Sequence, residues 1–141
     1  MRRSSLLLLL VSCLLLTGCA ALTGSKTTNL PQIADRFTEA MRWKDWHGAA
    51  KFVESQQRAA FLEQFREDPD LHVVESLIQS VHPDRTDGVV EVVYLLEYYR
   101  LPSSRVDRWT WTQEWREQPG RFAAETVWLI TNPPPPLPWN R

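Results

Sequence analysis

Hydrophobic and polar positions change rhythm twice along this chain. An unbroken apolar run, Leu6–Leu16, comes first; Arg2 and Arg3 precede it and Leu16-Thr17-Gly18-Cys19 closes it. Residues 20–29 have little periodic apolar content and read as a flexible tether. A helical rhythm follows: Ile33, Phe37, Ala40 and Met41 fall at i, i+4, i+7 and i+8, one stripe of a 3.6-residue period, with Pro31 suited to the first turn. Asp45 is placed to cap a second, short helix with Trp46, Ala49, Ala50 and Val53 inward, slightly weakened by Gly48. Ser55 is placed to cap a third, with Ala59, Leu62 and Phe65 on its buried side and Pro69 as its stop.

After Pro69 the period drops to two. Leu71–Val81, Val89–Leu101, Val106–Glu117 and Phe122–Ile130 are rich in β-branched and aromatic residues, and turn chemistry fills each gap: Asp87-Gly88, Pro102-Ser103-Ser104 and Pro119-Gly120. Three hairpin-like links in a row predict an antiparallel meander of four strands, ended by Asn132-Pro133. Alternation sorts the side chains into faces. Val90, Val92, Tyr94, Leu96 and Tyr98 share one side of the second strand; Trp109, Trp111, Gln113 and Trp115 share one side of the third; Phe122, Ala124, Thr126, Trp128 and Ile130 share one side of the fourth. Helices grouped before strands predict an α+β fold, with the helices covering one face of a long, twisted and curved four-stranded sheet.

Two resemblances follow from these residues. Leu16-Thr17-Gly18-Cys19 after a charged and then apolar leader resembles the lipobox of bacterial lipoproteins. The resemblance implies cleavage before Cys19, lipidation of the Cys19 sulfur with diacylglycerol and a third acyl chain on the new amino terminus. By the same resemblance Ala20, where Asp would retain the protein at the inner membrane, implies an outer-membrane lipoprotein facing the periplasm of a Gram-negative host. Residues 1–18 are then a signal peptide, 19–29 the lipidated Cys and tether. The apolar run falls short of the roughly 20 residues that a spanning helix needs. The helix-then-meander order over about residues 30–131, with Trp43-Lys44-Asp45-Trp46, Phe52-Val53 and Thr112-Gln113-Glu114-Trp115, resembles the NTF2-like superfamily and small bacterial lipoproteins with this pattern. It implies a cone of helices on sheet. That superfamily holds isomerases, cyclases and dehydratases beside non-catalytic binding and assembly domains, so fold analogy does not select an activity.

Charge and cysteine content narrow the field. With the leader removed, 14 Lys and Arg face 17 Asp and Glu, which gives no basic footprint for nucleic acid and no polybasic patch for anionic lipid. Cys13 lies in the leader and Cys19 is the acylated residue, so no thiol remains for a disulfide, a metal or nucleophilic catalysis. His72 and His82 stand about 33 Å apart along one strand, and His47 lies on a helix without a second His one turn away, so neither a metal site nor a cofactor is expected. Glu91 and Glu97 are about 20 Å apart along their strand, too far for a carboxylate pair, and read as cross-strand partners of Arg100, Arg105 and Arg108. His47 beside Asp35 or Asp45 is a conceivable general base with no motif behind it.

Tyr94, Tyr98, Trp109, Trp111, Gln113, Trp115 and Trp128 remain as candidate ligand-binding residues. In a hollow cone they would form aromatic walls with Gln113 to orient a ligand; in a filled one they are core, which a chain this small needs for stability. The opposite face of the third strand carries Thr110, Thr112, Glu114 and Arg116, suited to a protein partner or a second copy. The Pro-rich tail, residues 132–141, is a polyproline rod that docks on a partner, folds back with Trp139 on its own domain, or stays solvated. The function expected is a lipid-anchored, non-catalytic cell-envelope domain working in protein interaction or assembly, held to the membrane by acyl chains on Cys19. A binding module for a small apolar or aromatic ligand, and then a cofactorless enzyme, are the alternatives.

Overall fold

Residues 30–83, 87–120 and 126–139 are described by a computed structural model of the chain. Residues 1–29, 84–86, 121–125 and 140–141 lie outside them, and with them the sequence readings of a leader, a lipidated Cys19, a tether and the inner-face residues Phe122 and Ala124. Helices α1 (Leu30–Arg42), α2 (Trp46–Ala50) and α3 (Ser55–Gln64) precede strands β1 (Leu71–Pro83), β2 (Val89–Arg100), β3 (Asp107–Pro119) and β4 (Thr126–Ile130). The strands form one open antiparallel sheet in the order β1-β2-β3-β4, with the helices packed on its inner face. The α+β expectation holds at that level.

The stripe of α1 is set by Leu30, Ala34, Phe37 and Met41, all buried. The helix ends in a Schellman motif: Asp45 N–H donates to Ala40 O (2.9 Å), Lys44 N–H donates to Met41 O (3.2 Å), and Lys44 takes the left-handed conformation (φ 57°) that glycine usually supplies. Its ammonium group is held by Leu71 O (3.0 Å) and Asp68 O (3.4 Å). Asp45 then caps α2 as expected, its Oδ1 accepting from Gly48 N (2.8 Å). Gly48 has a positive role in that cap, because a Cβ there would run into the Asp45 carboxylate. Arg58 donates to Ala50 O (2.9 Å) and Val53 O (3.1 Å), satisfying carbonyls beyond the end of α2.

Two details of α3 correct the sequence reading. Ser55 is its first helical residue, while the cap position belongs to Glu54, whose side chain makes no capping bond. The buried side is Phe61 followed by Phe65; Ala59 is exposed and Leu62 only half-buried. Aromatic volume decides the rotation: Phe61 and Phe65 stack at 4.7 Å between ring centroids, and Phe65 meets Trp46 at 5.1 Å.

Strand β1 bulges between Val73 and Glu75 and again between Ile78 and Ser80. Each extra residue reverses the alternation, so Leu71, Val73, Ser76, Ile78 and Val81 all pair with the inner-face row of β2. The outer edge of β4 is covered by the segment after α2, where Glu54 N–H donates to Ile130 O and Ile130 N–H to Phe52 O. Beyond β4, Asn132 continues the ladder with its side chain, accepting from Glu114 N (2.8 Å) and donating to Thr112 O (2.7 Å).

The tail is part of this fold. Leu137 is 1 % exposed within the core, Trp139 lies over Tyr98 at 4.3 Å, and Gln64 donates a hydrogen bond to Pro135 O. Of the three expectations for the tail, folding back on its own domain is the one observed.

Candidate functional site

All seven candidate residues come together on the inner face. Tyr94, Trp111, Trp115 and Gln113 are at most 1 % exposed, and Trp109, Tyr98 and Trp128 at most 6 %. Phe37 of α1 sits among them, with ring centroids 5.3 Å from Tyr94 and 6.1 Å from both Trp111 and Trp115. Phe61 and Phe65 of α3 meet Trp111 and Trp109, and Trp139 covers Tyr98. The space that an aromatic-walled hollow would offer is taken by the protein's own side chains.

The polar groups on this face are unevenly satisfied. Gln113 Oε1 accepts from Trp115 Nε1 (2.8 Å). Gln113 Nε2, Trp109 Nε1 and Trp111 Nε1 are buried without a hydrogen-bond partner among the described residues. Nearby, Ser76 Oγ donates to Thr38 O (2.8 Å) and contacts the Tyr94 hydroxyl at 2.8 Å. Ser76 has one proton and the carbonyl can only accept, so Tyr94 O–H is the donor to Ser76. This chain ties α1 to β1 and β2. Burial pushes the Tyr94 phenol far above its ordinary range. Tyr98 is raised as well, by burial first and then by Asp107, with Arg100 and Arg105 opposing.

Among the described residues, no helix packs on the outer face. Its central rows, in register across β1, β2 and β3, are Leu77–Leu95–Thr110 and Ser80–Val93–Thr112. Charged rows flank them: Glu75–Glu97–Arg108 at one end and His82–Glu91–Glu114 at the other. Glu97 pairs with Arg108 at 2.8 Å and Glu75 with Arg42 at 3.4 Å. Leu95 is 7 % exposed although it points away from the core, because these neighbours surround it. Thr110, Thr112, Glu114 and Arg116 are exposed, as the alternation predicts. Sequence reading missed Leu77, since the bulges of β1 hide which of its residues join this face; Leu95 was legible by alternation on β2 but was not singled out.

Of the cross-strand pairs expected for Glu91 and Glu97, the Glu97–Arg108 pair forms, while Arg100 binds Asp68 (2.9 Å) and Arg105 binds Asp107 (2.7 Å) instead. Asp45 is engaged at Gly48 rather than at His47. His72 stacks on Tyr99 (4.8 Å, 7° between planes), and His82 contacts Ser80 Oγ at 3.0 Å. Among the described residues no group of three His, Cys, Asp or Glu is arranged to hold a metal ion.

One surface feature was not singled out from sequence. Trp43, at the end of α1, is 72 % exposed and walls a groove of about 470 Å³ with Lys44, Trp46, Glu67, Asp68 and Pro69. The signal was present: Trp43 lies two residues past Met41, about 200° around the helix from the buried stripe. No protein-family model matches the chain, and no curated protein or solved structure gives a significant match.

Proposed function

We propose that this protein is a lipid-anchored, non-catalytic domain of the cell envelope that acts by binding another protein, or a second copy of itself, through the outer face of its sheet. The observation that carries the reading is the contrast between the two faces. The inner face is filled by Phe37, Phe61, Phe65 and Leu137, whereas the outer face presents a Leu, Val and Thr patch ringed by charge. An uncovered sheet face with an apolar centre and a polar rim has the make-up of a protein-interaction surface. The helix order and the four-stranded meander are compatible with an NTF2-like cone, in which such faces often pair. The anchor rests on the Leu16–Cys19 motif, and no described helix is long and apolar enough to cross a membrane.

A second reading, a small ligand held on the inner face, is favoured by the unpartnered donors of Trp109, Trp111 and Gln113. It ranks lower because Phe37 and the tail occupy the room it needs.

The test places a photo-reactive amino acid at Thr112, on the outer face, or at Arg36, exposed on α1, in the full chain in its own host. A discrete cross-linked species from position 112 and none from position 36 is expected. Equal labelling at both positions, or none at 112, overturns the reading.

A further inference from the structure

The groove beside Trp43 lies at the opposite end of α1 from Leu30, about 20 Å from the point where the tether joins. Its aromatic wall is held in place: the Trp43 indole N–H donates to Glu39 Oε1 (2.6 Å), so the ring stands out from α1 in a fixed orientation with its faces in solvent. Trp46 is shared with the adjoining groove, which also takes in Asp45, His47, Leu62, Phe65 and Arg66. A large aromatic ring left this exposed contributes nothing to the core, and rigid aromatics of this kind serve as anchors for a partner.

Charge selects the occupant. Of the cations around the groove, Arg66 is paired with Glu63 and Arg100 with Asp68, while Lys44 keeps its charge but is tied down by hydrogen bonds to Leu71 O and Asp68 O. Glu67, which lines both grooves, is exposed and makes no ion pair or side-chain hydrogen bond among the described residues, and the Glu39 side chain accepts from the Trp43 indole N–H. An exposed indole face with a free carboxylate next to it attracts a cation, and a guanidinium most of all, since it stacks on the ring while donating to the carboxylate.

We propose that the Trp43–Trp46 groove docks a basic segment of a partner protein, with an Arg side chain laid on Trp43 and paired with Glu67. This surface is separate from the outer sheet face and stands or falls independently of it. Its distance from Leu30 sets it apart from the end of the domain at which the chain enters.

The probe is the peptide acetyl-Leu-Arg-Leu-Arg-amide, titrated into the full acylated chain carried in phosphatidylcholine vesicles with brominated acyl chains. The Trp43 contribution is taken as the fluorescence difference from Trp43→Phe. Saturable quenching or shift of that component is expected, at least about threefold weaker with Glu67→Gln and weakened by salt. Trp43→Ala, followed by calorimetry, should lose at least about threefold in affinity. Both positions are exposed, so these variants keep the fold. Equal binding of acetyl-Leu-Glu-Leu-Glu-amide, or indifference to both Trp43→Ala and Glu67→Gln, overturns the proposal. So does quenching of Trp43 by the brominated lipid without peptide, which would make the groove a membrane contact.

Discussion

Tyr94 brings its hydroxyl into the interior and spends the proton on Ser76, whose own proton goes to the Thr38 carbonyl. Ionising Tyr94 in the folded state would put a phenolate in the interior, where burial disfavours the charge by more than a hydrogen bond from Ser76 offsets. Since the folded value lies above the unfolded one, near 10, the contribution of the neutral phenol is complete below pH 10. It is lost as pH rises past 10, because the unfolded chain releases a proton that the folded one retains. Urea unfolding from pH 8 to 11.5 should therefore show stability falling above pH 10. In Tyr94→Phe that fall should be shallower by roughly 1.4 kcal/mol per pH unit, with the remainder due to Tyr98 and other groups. A wild-type slope equal to that of Tyr94→Phe would mean that the hydroxyl reaches solvent. Ser76→Ala strands the Tyr94 hydroxyl, while Thr38 O keeps its place in the α1 ladder, and unfolding curves should register a loss of about 1–3 kcal/mol at neutral pH. None of this is written in local sequence. Tyr94 falls on the inner face by alternation, but its partner is reached only after a bulge in β1 turns Ser76 inward.

At the scale of elements, alternation located β2 and β3 to within two residues at each end and assigned every inner-face side chain on them, because an open sheet with one covered face imposes a strict period of two. The same logic gives no answer for β1, where two extra residues reset the phase. For α3 the period was right and the rotation was not. Ala59 and Leu62 fit a stripe, yet the rings of Phe61 and Phe65 fill the space over Trp111 and Trp109. Whether the inner face was hollow or filled depended on Phe37, a residue far away in sequence, so the candidate site could be named from sequence while its occupancy could not. The tail shows the limit most clearly: four consecutive prolines set a stiff backbone, but composition does not say where a rod lies. Leu137 and Trp139 hold it down. Leu137→Ala should cost about 2–4 kcal/mol in urea unfolding, and Trp139→Ala less, since that ring keeps partial exposure. A solvated tail would show neither loss.

At the scale of the whole molecule, the proposed anchor at Cys19 and the proposed interaction surface on the outer sheet face belong to different parts of the chain. Residues 20–29 reach at most about 36 Å when fully extended, which confines the domain to a thin layer over the lipid once Cys19 is acylated. Confinement raises the effective concentration of the outer sheet face towards anything held in the same layer, in the way a short linker does for two joined modules. On the proposed reading the anchor is part of the interaction rather than an address alone. Exporting residues 20–141 from a leader without the Leu-Thr-Gly-Cys motif frees the domain while leaving its interior intact. At matched periplasmic amounts, cross-linking from position 112 should fall at least about tenfold, with the urea midpoint unchanged. Undiminished cross-linking by the free domain would show that its partner is met in solution and that the acyl chains serve only to retain the protein.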